Sequence, residues 1–97
     1  MKHQIVKIKS VTVPKLYKIK VTFDDATEKT IDLEQLLTGP MYGPLKDPVV
    51  FKAVTIDPEA ATVVWPNGAD FDPETLYKWD LYEHELKDRA LQWNSSS

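Results

Sequence analysis

Residues Trp65 to Tyr77, read Trp-Pro-Asn-Gly-Ala-Asp-Phe-Asp-Pro-Glu-Thr-Leu-Tyr, constrain this chain more than any other stretch. They end a strand, make a turn and begin a helix. Pro66-Asn67-Gly68 stops the β-rich run Thr62-Val63-Val64-Trp65, with Asn67 or Gly68 suited to positive φ. Asp72-Pro73 then has an acid at the N-cap and proline at the first helical position. A chain with this junction combines hairpin and helix, and 97 residues leave room for one such core.

The N-terminal third supplies the sheet. Tyr17, Ile19, Val21 and Phe23 alternate with Lys18, Lys20 and Thr22, the period of two that marks a half-buried strand. Residues 4–13 predict a preceding strand with Ile8 and Ser10 opposed to Lys7 and Lys9, and Pro14 belongs at a turn or a sheet edge. Asp24 to Thr27 is a polar turn, and Glu28 to Leu33 alternates again. Together they predict an antiparallel meander.

Asp32 is placed to accept from the first turn of a short helix that Gly39-Pro40 stops. Residues 38–48 predict an irregular ordered loop pinned by Met41, Tyr42 and Leu45. Asp47-Pro48 starts a second short helix through Ala53, anchored by Phe51 and Val54. Two β-rich runs around Pro58 to Ala61 predict a hairpin. After Asp72, the residues Leu76, Trp79, Tyr82, Leu86, Ala90 and Trp93 form one apolar stripe at helical spacing, with a break near Asp80 and the helix covering one sheet face. The expected fold is α+β: a three-stranded antiparallel meander, two short helices, a β-hairpin and a C-terminal helix. Residues 1–82 are the domain, 83–93 a helical extension packed on it or on a partner, and 94–97 a disordered tail.

Composition excludes several functions. Without cysteine there is no disulfide and no thiolate zinc site. Apolar runs stay far below the roughly 20 residues of a membrane span, and Met1-Lys2-His3-Gln4-Ile5 lacks the long apolar core expected of a signal peptide. A cytoplasmic protein is expected. The net charge of −3 hides a segregation: six lysines and no acid precede Asp24, and all 15 acids lie from Asp24 onward.

The motifs Val21-Thr22-Phe23-Asp24-Asp25, Ile31-Asp32-Leu33, Pro44-Leu45-Lys46-Asp47-Pro48 with Phe51, and above all Trp65 to Tyr77 give residues 3–82 a family likeness. The chain resembles the small bacterial proteins called domain of unknown function 2442. Ala26 stands where that family's turn more often has glycine, and the extension after Tyr82 departs from it. The resemblance implies an α+β domain of cytoplasmic bacteria with no established activity. Its members stand alone or are fused to a helix-turn-helix, often beside another small protein, which implies partner binding or regulation by association only.

Candidate chemistry is sparse. Asp70, Asp72 and Glu74 are oxygen ligands of the kind Mg²⁺ and Ca²⁺ prefer, although no calcium-loop spacing follows them. The structural alternative, favoured here, has Asp72 cap the helix, Glu74 complement its dipole and Asp70 brace the turn. His3 and His84 lack a positioned partner for acid–base work. Lys18 and Lys20 share a strand face that could meet nucleic acid, but Tyr17 falls opposite them and the pI of about 5.3 argues against it. Trp79, Tyr82, Leu86 and Trp93 are the candidates for contact with a protein partner or a second copy. The expected function is therefore a non-enzymatic interaction or regulatory module without cofactor. A nucleic-acid-associated regulator is the alternative, and a metal-assisted hydrolase at Asp70 and Asp72 a weaker one.

Overall fold

Strand β2 (Lys18–Phe23) lies between β1 (Ile8–Lys15) and β3 (Glu28–Asp32), antiparallel to both. The structure, a computed structural model, describes the backbone of residues 6–95 and the side chains of residues 6–92. Ile19, Val21 and Phe23 are completely buried, as the alternation of β2 predicts. Tyr17 does not extend the strand. It sits at φ 66° in the β1–β2 turn. Its ring nevertheless meets Phe51 edge-on at 5.4 Å, and its hydroxyl donates to the Lys46 carbonyl.

The expected pairing of Ile8 with Ser10 on one face is corrected by a bulge. Ile8 lies opposite Phe23, but the register shifts before Ser10, which pairs with outward-facing Thr22. One extra residue reverses the side-chain faces. Val11 thereby comes opposite buried Val21. Pro14 is in β1, an edge strand, where its missing donor is tolerated.

Strands β4 (Thr55–Asp57) and β5 (Thr62–Val64) form the predicted hairpin. The Asp57 carboxylate accepts the Glu59 amide at 2.9 Å and the Ala60 amide at 3.4 Å, which closes its turn. The Ile8 amide donates to the Ala61 carbonyl at 2.9 Å and ties the two sheets together.

The segment expected to be an irregular loop is largely helical. Helix α1 (Gly39–Tyr42) and the 3₁₀ turn Gly43–Lys46 follow the 3₁₀ turn Glu34–Leu36 after Leu37 and Thr38. Gly39-Pro40 therefore starts a helix as well as ending one: Gly39 takes φ 78°, and Pro40 has the fixed φ of a first helical residue. Leu45 is buried and Tyr42 half-buried, so they anchor the segment. Met41 is 50 % exposed and does not. Helix α2 (Pro48–Lys52) starts as predicted, with the Asp47 carboxylate accepting the Val49 amide at 3.0 Å.

The C-terminal stripe is divided. Helix α3 (Pro73–Tyr77) stops at Lys78, whose φ of −104° and ψ of 38° leave the helical region, and α4 (Trp79–Ser95) begins at the next residue. Helix α3 contacts β3. Helix α4 has the 3₁₀ turn Glu34–Leu36, α1 and α3 as its principal neighbours, and not a sheet face as expected. Trp65 lies at the centre of the core, 2 % exposed. Its indole donates to the Phe51 carbonyl at 2.9 Å, and its ring lies 5.9 Å from that of Phe51 and 6.0 Å from that of Phe71.

Candidate functional site

The turn after Trp65 builds one wall of a surface groove. The Gly68 amide donates to the Trp65 carbonyl and the Trp65 amide to the Ala69 carbonyl, both at 2.9 Å. Gly68 has φ 89°, where a side chain would be strained. The Asn67 carboxamide accepts the Ala69 amide at 3.2 Å and donates to the Met41 carbonyl at 2.8 Å. Asp70 then forms a backbone bridge to Val64. Successive residues of an extended chain point to opposite sides. Phe71 accordingly turns inward, while Asp70 and Asp72 remain exposed. The hydroxyl of buried Thr62 donates to the Phe71 carbonyl and holds this strand-like piece in place.

Helix α1 packs against that wall. The Tyr42 ring stacks on Phe71 with centroids 5.0 Å apart and an interplanar angle of 20°. Its hydroxyl donates to the Asp70 carbonyl at 2.8 Å. Burial pushes the Tyr42 phenol above its ordinary value, and the nearby Asp70 charge adds to the effect. Helix α4 forms the other wall through Leu86, Arg89 and Ala90, and Leu36 lies in the floor. The groove between them holds about 610 Å³ and is lined mainly by apolar atoms. Asp70 and Asp72 lie on one rim, Arg89 on the other.

The three carboxylates do not act together. Glu74 pairs with Lys78 at 3.3 Å on the surface of α3. Asp72 stands at the N-cap of α3, but its carboxylate accepts no capping hydrogen bond, contrary to expectation. Asp70 braces the turn through its backbone and not its side chain. Among the described residues, no three His, Cys, Asp or Glu side chains are grouped to hold a metal ion. His84 is exposed, and its neighbours Glu83 and Glu85 are engaged by Lys87 and Arg89 at 2.7 Å each. His3 and the side chain of Trp93 lie outside the described residues, as does the 94–97 tail apart from its helical backbone through Ser95.

The helical candidates separate by exposure. Trp79 is 5 % exposed and belongs to the core, which leaves little of it for a partner. Tyr82 and Leu86 are half-buried, and only Leu86 lines the groove. Lys20 pairs with Glu28 at 3.6 Å, and Lys18 lies opposite Asp32 across the β2–β3 ladder. Acids from β3 are thus interspersed with the lysines on the outer face of the sheet, which weakens its appeal to phosphate.

Sequence reasoning did not assign Tyr42, Leu36 or Arg89 to a site. The signal available was the Gly-Pro-Met-Tyr run, with an aromatic two residues after a helix-starting proline.

The fold and groove define a small α+β domain with a partly apolar surface cleft. The chain belongs to the family described as protein of unknown function DUF2442, whose model matches residues 8–82. Helix α4 runs on beyond that match. No curated protein and no solved structure matches the chain. No helix among the described residues is long and apolar enough to cross a membrane.

Proposed function

We propose that this chain is a non-enzymatic interaction module of the bacterial cytoplasm, and that it holds a protein partner through the α1–α4 groove. The observation that carries this reading is the pairing of an apolar floor with a polar rim. Leu36, Leu86 and Ala90 line the cleft, and Asp70, Asp72 and Arg89 edge it. Such a profile suits the apolar face of an incoming helix or strand. Met41, half exposed at the edge, adds an unbranched adaptable contact. The bacterial and cytoplasmic setting rests on the family resemblance.

The test is affinity capture with the full chain as bait, together with light scattering of the purified protein. The wild type forms a complex with a partner or with itself. Leu86→Asp loses it while keeping a native circular-dichroism spectrum, because the new charge sits in the apolar wall. A folded Leu86→Asp chain that retains the complex unchanged would refute the assignment of this groove.

A further inference from the structure

We infer that the segment received by the groove is a basic amphipathic helix, with an apolar stripe and two Lys or Arg side chains one turn apart. This rests on the reading of the groove as a protein-binding surface and specifies the partner's chemistry. The charges around the cleft do not cancel. Arg89 is already neutralised by Glu85 at 2.7 Å, and Glu74 by Lys78 at 3.3 Å. Asp70 and Asp72 line the cleft, are exposed, and have no cationic partner among the described residues. Two carboxylates therefore stand uncompensated on one rim, in a chain whose net charge is itself −3. A cationic partner is steered toward such a rim and an anionic one repelled.

Spacing is compatible with a helix. Residues two apart in extended backbone are separated by about 6.6 Å. Cations three or four residues apart on a helix are about 5–6 Å apart at their stems. One face of a helix can thus present a pair of bases to Asp70 and Asp72 while its apolar stripe enters between Leu36 and Leu86. The wall is prepared for this, since the Tyr42 hydroxyl and the Thr62 hydroxyl hold the backbone of residues 70 and 71 on both sides.

The experiment measures fluorescence anisotropy of three labelled helical peptides with the full chain. One carries a leucine stripe flanked by lysines. The second replaces those lysines with glutamates, and the third replaces the leucines with serines. The Leu/Lys peptide binds about fivefold more tightly than the Leu/Glu peptide, the preference two exposed ion pairs supply. That preference shrinks with added salt and disappears in the double variant Asp70→Asn, Asp72→Asn, whose asparagines preserve shape and the capping position. The Leu/Ser-exchanged peptide binds weakly. Equal binding of the Leu/Lys and Leu/Glu peptides, or a preference that survives the double variant, overturns the inference. If Leu86→Asp still abolishes that binding, the groove reading stands without it. Equal binding of the serine peptide also overturns it, by revealing mere charge attraction. If no peptide binds yet the chain captures a partner that Leu86→Asp loses, the inference alone fails. If neither occurs, both fail.

Discussion

The Tyr77 hydroxyl donates to the Asp25 carboxylate at 2.6 Å across 52 positions of sequence, joining the end of α3 to the β2–β3 turn. The same tyrosine packs edge-on against Phe23 at 4.9 Å. This clasp fixes the orientation of α3, and α3 carries the chain from the groove wall at Asp72 into α4.

The Asp25 carboxyl is held below its ordinary value of 3.8, first by the Tyr77 hydroxyl and then by the Thr27 amide. A depressed carboxyl stabilises the fold above its unfolded pKa, and that contribution disappears as pH falls through the folded value. Carbon-detected titration should give Asp25 a midpoint below 3.8, and Tyr77→Phe should move it upward. An unchanged midpoint in Tyr77→Phe would mean the clasp does not form in solution.

Ala26 occupies a backbone position with φ 71°. Left-handed geometry costs a residue with a Cβ about 1–2 kcal/mol, part of which glycine offsets by its greater freedom when unfolded. Ala26→Gly should therefore raise stability by about 0.5 kcal/mol in urea unfolding. A loss of stability would show that the turn takes another conformation.

Trp65 joins the hairpin to α2 through packing and through its bond to the Phe51 carbonyl. Trp65→Ala should cost about 3–5 kcal/mol, as large core truncations do. Trp65→Phe keeps most of the ring volume but leaves that carbonyl unpaired, for about 1–3 kcal/mol. Chemical denaturation followed by circular dichroism distinguishes the two.

Tyr42 titrates above its ordinary 10.0 because it is half-buried and lies near Asp70. The unfolded phenol ionises first, so stability falls as pH rises from 10.0 toward the folded value. In alkaline absorbance titration, the Tyr42 phenol should ionise above 10.0, and Tyr42→Phe should remove that step. Its persistence in the variant would contradict the packing of α1 against Phe71.

Much of this architecture is legible in the sequence where one local rule dominates. The alternation of Ile19, Val21 and Phe23 specifies β2, and Asp47-Pro48 marks the start of α2. Legibility fails where tertiary context decides. Nothing in Lys7 to Ser10 announces the bulge, because it arises from fitting β1 to both β2 and the Ala61 carbonyl. The break at Lys78 falls two residues before the one expected near Asp80, because Leu76, Trp79 and Tyr82 keep helical spacing across it and do not mark its place. The carboxylates of Asp70 and Asp72 were expected to serve the turn and the cap. Their backbones do so instead, which frees both side chains for the rim of a groove whose far wall comes from residues 86–90.

Hydrogen–deuterium exchange of the full chain, alone and in its captured complex, tests the central claim most directly. The account predicts slower exchange on complex formation confined to residues 39–42, 70–75 and 86–90, the segments that enclose the groove. Protection concentrated instead on the outer face of the β1–β2–β3 sheet, with those segments unchanged, would contradict it.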